Sequence, residues 1–126
     1  MKALRAAILV LVLLMAASLV NSAYLTARCG HWTAQLDTVT AAASGGDWDT
    51  AAREMAALRA DWQKKQSYLH ITLMHEEINE TDTLLHQCAL FVDAQDNDSL
   101  SDTAVQLALQ FDRLAEMEQL SIKNVL

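Results

Sequence analysis

The chain begins with a long apolar stretch, residues 6–27, that contains no charged residue. Lys2 and Arg5 precede this stretch, and Arg28 follows it. About 20 apolar residues, each adding about 1.5 Å to a helix, are needed to cross the hydrocarbon core of a bilayer. The stretch therefore predicts one transmembrane helix with the lipid bilayer as its partner. We assign residues 1–28 to an N-terminal membrane anchor and residues 29–126 to a separate body.

A cleaved signal peptide is the alternative interpretation of the same stretch. Residues 6–20 resemble the apolar core of a signal peptide, and small residues near Ser18 or Ser22 could form a cleavage site. Apolar positions nevertheless continue beyond the stretch at the alternating steps of four and three that mark one helix face. These positions are Leu25, Cys29, Trp32, Leu36, Val39 and Ala43. Their continuity favours an uncleaved anchor whose helix extends into the body.

Three further apolar stripes with helical spacing follow in the body. They consist of Ala51, Met55, Leu58 and Trp62; of Ile71, Met74, Ile78, Thr81, Leu85, Cys88 and Val92; and of Leu100, Ala104, Leu107, Phe111, Leu114 and Met117. Proline is absent, and no segment alternates with the two-residue period of a strand. The sequence therefore predicts an all-α fold, in which the N-terminal transmembrane helix is followed by an antiparallel bundle of three to four helices.

Two polar segments predict turns between these helices. Gly45 and Gly46 are expected to end the first helix, and Asp47 to cap the second. The acidic segment 93–98 is expected to form a polar turn before Ser99, which we predict as the cap of the last helix. This segment lacks the central glycine and the final glutamate of a calcium-binding loop.

A third turn is needed between these two, although no glycine or proline marks it. A single helix from Asp47 to Asp93 would be about 70 Å long and would return into the bilayer. The apolar stripe fails at Lys65, which predicts a kink or short turn between residues 64 and 67. A hinge at Gly30 that lets the whole body tilt is the alternative. The sequence predicts no internal repeat.

Charge suggests an orientation and excludes one class of partner. Of the nine Lys and Arg residues, three lie at or before Arg28, whereas all sixteen Asp and Glu residues follow it, so the body has a net charge near −10. An acidic surface repels phosphate groups, and nucleic acid is therefore not expected as a partner. Positive charge is concentrated before the apolar stretch, which predicts a single-pass cell-membrane protein with a cytoplasmic N-terminus and the body outside.

One stripe of polar residues is a candidate for metal binding. His75, Asn79, Asp82 and His86 lie at steps of four, three and four. The two histidines are about 16 Å apart along a helix and cannot bind one ion together, although Asp82 and His86 could act with ligands from another helix. His75-Glu76 also begins like a zinc-protease signature, but Asn79 replaces its second histidine. We therefore predict a solvated helix face, with no catalytic, cofactor-binding or metal-binding residue.

The remaining candidate residues favour structural roles. Cys29 and Cys88 lie on apolar stripes, which predicts buried free thiols, and a disulfide between them is the alternative. Trp48 and Trp62 have helical spacing and are expected to be core residues. The alternative is a ligand pocket formed by these two tryptophans, Tyr68 and the stripe of polar residues.

Several short segments behind the anchor resemble a known family. They are Trp48, Trp62, His75-Glu76-Glu77-Ile78 and the C-terminal residues 120–126. Together they resemble small membrane-anchored bacterial proteins of unknown function, found mainly in spore-forming Gram-positive (clostridial) lineages. Genes of this family often neighbour a gene for a small multi-pass membrane protein, which suggests a cell-surface setting and a membrane protein partner. The resemblance brings no catalytic residues with it.

We therefore expect a non-enzymatic accessory or interaction protein that docks on a membrane partner. The alternative is an extracytoplasmic sensor, a module that binds a ligand or a metal.

Overall fold

The computed structural model describes the backbone of residues 1–72 and 75–125 and the side chains of residues 1–67 and 75–119. The described residues form four helices and no strand: α1 (Lys2–Ser44), α2 (Trp48–Thr72), α3 (His75–Asp93) and α4 (Asn97–Val125). Each helix packs against its neighbours in sequence, and α4 also packs against α1. The result is a closed, up-and-down four-helix bundle. The predicted fold, a long apolar first helix followed by a helical bundle, is confirmed.

The first helix consists of two unlike halves. It is unbroken over 43 residues, and its buried side chains begin at Ser22 and continue to Ala43. Before Ser22 the helix is exposed almost throughout, and α1 is the one described helix long and apolar enough to cross a membrane. An N-terminal signal sequence would meet the same criterion. The helix continues through Gly30, so the structure contains no break at the alternative hinge position.

The predicted stripes form the core of the bundle. Every predicted position on α1 and α2 is buried, as are the described positions on α3. On α4 the stripe is buried as far as Leu114, and Met117 is half-buried. The side chains of Ile71 and Met74 lie outside the described residues. Helical periodicity therefore identified the buried face of all four helices correctly.

A compact motif joins α1 to α2. The N–H of Gly46 donates to the carbonyl of Ala43 (3.0 Å), and the N–H of Asp47 donates to that of Ala42 (2.9 Å). These two bonds define a Schellman motif, which needs a residue with positive φ, and Gly46 has a φ of 79°. Asp47 Oδ1 then accepts the N–H of Thr50 (3.2 Å) and caps α2 as predicted.

The turn between α3 and α4 has the same geometry. The same two backbone hydrogen bonds close it, and Gln95, with a φ of 54°, takes the place of Gly46. Asp96 Oδ1 accepts the N–H of Ser99 (3.2 Å) and is therefore the cap of α4. The prediction of Ser99 as the cap was wrong, because the helix begins one turn earlier. No glycine marks this helix end, since Gln95 itself adopts the left-handed conformation.

The two halves of the bundle share one spacing of buried positions. Asp47 and Asp96 are 49 positions apart, and the same offset relates buried positions of α1 to α3 and of α2 to α4. The pairs are Cys29–Ile78, Trp32–Thr81, Leu36–Leu85, Val39–Cys88, Ala43–Val92, Ala51–Leu100, Met55–Ala104, Leu58–Leu107 and Trp62–Phe111. The offset of 49 is a multiple of the seven-residue period of the stripes, so regular helical spacing accounts for the matching positions. The residue types differ within most pairs, and the expectation of no internal repeat stays a prediction.

The reversal between α2 and α3 does not lie at the predicted position. The α2 helix runs unbroken through residues 64–67 to Thr72, and α3 begins at His75. Lys65, where the apolar stripe fails, is half-buried, and its Nζ lies 5.6 Å from the centre of the Tyr24 ring. This cation–π contact lets α2 continue along α1 without an apolar side chain at that position.

Candidate functional site

Three aromatic rings fill the centre of the bundle. The centre of the Trp32 ring lies 5.2 Å from that of Trp62 and 5.5 Å from that of Phe111, and all three residues are at most 1% exposed. Such contacts add attraction to the burial of a large apolar area. Trp62 is therefore a core residue as predicted, and Trp48 packs against the edge of the same core. The side chain of Tyr68, the third aromatic residue of the alternative pocket, lies outside the described residues.

Asp61 joins α2 to α1. Its Oδ2 accepts a hydrogen bond from Trp32 Nε1 (2.6 Å) and forms an ion pair with the guanidinium of Arg28. The Arg28 guanidinium also lies 5.8 Å from the centre of the Trp32 ring. Both charged side chains are 25% exposed, so water screens this pair only in part. Arg28, which follows the apolar stretch in the sequence, is therefore directed toward α2 and neutralised there.

Asp82 joins α3 to α2. Trp62 Nε1 donates to Asp82 Oδ1, and Gln66 Nε2 donates to Asp82 Oδ2 (2.8 Å). The other members of the predicted polar stripe that α3 carries, His75, Asn79 and His86, are exposed. Among the described residues, no three His, Cys, Asp or Glu side chains are grouped so that they could bind one metal ion. The structure thus directs both oxygens of Asp82 to donors on α2.

The other two helix interfaces contain contacts of the same kind. Glu77 accepts a hydrogen bond from Gln110 Nε2 (2.9 Å) and pairs with Arg113 (3.2 Å), which joins α3 to α4. Asn21 Nδ2 donates to Glu118 Oε1 (3.0 Å), which joins α1 to α4. Each pair of neighbouring helices is therefore linked by one carboxylate that accepts from the adjacent helix. Since a shifted helix would leave these groups unpaired, we infer that the four links determine the register of the bundle.

Sequence reasoning did not single out most of these carboxylates. Asp61 directly precedes Trp62, and Gln110 directly precedes Phe111, so each polar residue stands beside a large buried ring. The pairs Arg28–Asp61 and Glu77–Gln110 also occupy equivalent positions in the two hairpins, 49 positions apart. A polar residue next to a large buried ring, repeated at one offset, is the signal that could have identified Asp61 and Gln110.

The two cysteines are separate buried thiols. Cys29 is 3% and Cys88 0% exposed, and both are free, as predicted. Burial raises the pKa of each thiol to about 12, and the charge of Asp112 adds to this effect at Cys29. Both thiols are therefore protonated at neutral pH. Since the thiolate is the nucleophile and the metal ligand, neither cysteine is activated for chemistry.

The acidic segment 93–98 forms the turn between α3 and α4. Hydrogen bonds from Ser99 lower the pKa of the Asp96 carboxyl, as expected for a helix cap that is ionised when folded. Asp96 therefore stabilises the start of α4, and the predicted polar turn is confirmed.

Comparison with models of known families gives a match over most of the chain. Residues 19–125 match the family model described as a domain of unknown function, DUF4363. The match covers the whole bundle and begins within the apolar half of α1. No curated protein and no solved structure matches the chain.

Proposed function

Since the chain belongs to the DUF4363 family, a domain of unknown function, we propose its role from its architecture. The protein is a membrane-anchored, non-enzymatic interaction protein whose bundle docks on a membrane protein partner. The observation that carries this proposal is the continuity of α1. One unbroken helix forms both an exposed apolar rod and one wall of the bundle.

The exposed apolar half of α1 is expected to contact lipid or another protein. Leu9, Leu13 and Leu14 are each at least 60% exposed, and they belong to a continuous apolar surface. A surface of this kind is rare on monomeric proteins in water, whereas lipid and the transmembrane helices of another protein cover it well. Because no loop separates this half from the bundle, a partner that contacts it would also set the orientation of the bundle.

Charge supports a body that lies outside the cytoplasm. Lys2, Arg5 and the terminal amine precede the apolar stretch, whereas Arg28 behind it is paired with Asp61. The three positive groups before the stretch outnumber the one directly behind it, which favours a cytoplasmic N-terminus, and the family resemblance favours a bacterial cell surface.

Photo-crosslinking in native membranes tests this proposal. A photoreactive amino acid at Leu9 or Leu13 of the full chain is expected to crosslink to one integral membrane protein, identified by mass spectrometry. The same probe at Ala57, an exposed position on α2, tests whether the bundle itself contacts that protein. If neither the α1 positions nor Ala57 crosslinks to a membrane protein and the chain is monomeric in mild detergent, the docking proposal fails.

The alternative class, a ligand-binding sensor, has less support from the structure. Trp62 is in the core, and Asp82 accepts hydrogen bonds from α2. A thermal-shift screen of the full chain with divalent metals and small ligands would favour this class if one compound stabilised the bundle.

A further inference from the structure

A groove lies where the bundle meets the exposed half of α1. It has a volume of about 790 Å³ and runs between α1 and α2. Its lining residues are Ala16, Ala17, Val20, Asn21 and Tyr24 of α1 and Lys64 and Lys65 of α2. The groove therefore has an apolar floor and two amines at one end.

The two lysines form a local positive charge on a bundle whose net charge is negative. Lys64 and Lys65 are adjacent in a body whose net charge is near −10. The cation–π contact with Tyr24 holds Lys65 at the groove, whereas Lys64 is exposed, and no described carboxylate pairs with it. The groove thus has a positive end on an acidic protein.

The position of the groove relative to the bilayer follows from the length of the exposed half of α1. The stretch from Ala6 to Val20 measures about 22 Å, which is shorter than the hydrocarbon core of about 30 Å. A bilayer that α1 crosses must therefore reach to about Tyr24, an aromatic residue of the kind that favours the membrane interface. Lys65 lies at the level of Tyr24, and Ala16 lies about 12 Å deeper along the helix. The amines are then at the level of lipid phosphates, and the floor is among the acyl chains. The end of α2, which continues about 10 Å beyond Lys65 to Thr72, enters the bilayer beside the floor.

We propose that this groove binds an anionic phospholipid of the outer leaflet. Lys64 and Lys65 bind the phosphate, and an acyl chain lies along Ala16, Ala17 and Val20. The inference rests on the membrane anchoring proposed above.

Lipid retention by the full chain tests this site. The chain is inserted into nanodiscs of phosphatidylglycerol and phosphatidylcholine, and the lipids it retains are counted by native mass spectrometry. We expect one retained phosphatidylglycerol with a preference of about 25-fold, since each lysine near an anionic headgroup contributes about fivefold. Lys64→Gln with Lys65→Gln is expected to reduce this preference to about twofold or less.

Two matched variants distinguish a specific lipid-binding site from a general effect of positive charge. Arg53→Gln with Arg59→Gln removes the same charge from the same helix farther from the groove, and it should retain the full preference. Ala17→Trp keeps the charge but blocks the floor, and it should lower the retention of phosphatidylglycerol. The proposal is overturned if the lysine variant keeps its preference, if the arginine variant loses as much, or if glycerol phosphate displaces the lipid.

The same samples show which proposal fails. A wild-type chain that does not float with liposomes would contradict the membrane anchoring itself. A chain that floats but retains both lipids equally would contradict only the lipid site.

Discussion

Replacing Asp82 with alanine tests whether this carboxylate holds α3 against α2. The substitution removes the acceptor of Trp62 Nε1, and Trp62 is only 1% exposed. Gln66, the second donor, is half-buried and can turn toward solvent. An unpaired buried donor costs about 1–3 kcal/mol, and the solvated donor adds less. We expect the free energy of unfolding to fall by about 2–3 kcal/mol, a large part of the 5–15 kcal/mol typical of a domain.

Urea unfolding of the full chain in mild detergent measures this change, followed by far-UV circular dichroism and tryptophan fluorescence. His86→Ala is the matched control, because His86 lies one turn further along α3 and is exposed, so its removal should cost less than about 0.5 kcal/mol. In a Trp62→Phe background, which lacks the indole donor, Asp82→Ala should cost about 1 kcal/mol less than in the wild type.

Two results would refute this reasoning. An equal cost of Asp82→Ala in both backgrounds would show that the indole hydrogen bond does not stabilise the bundle. If zinc stabilised the wild type and both Asp82→Ala and His86→Ala abolished the effect, the metal-binding alternative would be correct instead.

Two further predictions concern the helix ends and the buried thiols. Gln95→Gly should stabilise the chain by about 0.5–1 kcal/mol in the same urea assay, and Gly46→Ala should destabilise it by about 1 kcal/mol. Both positions have positive φ, which glycine adopts more easily than other residues. A change in stability of the opposite sign at either position would contradict the Schellman motif there. Cys29 and Cys88 should resist maleimide at neutral pH until the chain unfolds, because a pKa of about 12 leaves little thiolate. The stability gained by burying these thiols is present below pH 9, the ordinary pKa, and is lost as the pH rises toward about 12. The variant with Cys29→Ala and Cys88→Ala should therefore lose less stability than the wild type between about pH 9 and 11, and equal losses would show that other groups dominate.

Local patterns predicted the helices and their buried faces well. A stripe such as Leu58 and Trp62 is determined by the helical period alone, and the first turn follows from Gly46 and Asp47. The local patterns gave wrong predictions where a residue occupies a position at which another residue type was expected. Lys65 packs on an aromatic ring where an apolar residue was expected, and Gln95 takes the conformation usually left to glycine.

The sequence by itself determined an all-α chain with an apolar N-terminal stretch, four helical stripes, two buried cysteines and an acidic body. These features depend on residues a few positions apart, so helix geometry is enough to read them. Only the tertiary structure decided which side chains meet across the helices. Asp61 and Asp82 accept hydrogen bonds from tryptophans on other helices, and Lys64 and Lys65 come to lie beside the apolar half of α1. Such contacts depend on the register between helices far apart in the chain, which the spacing within one helix does not contain.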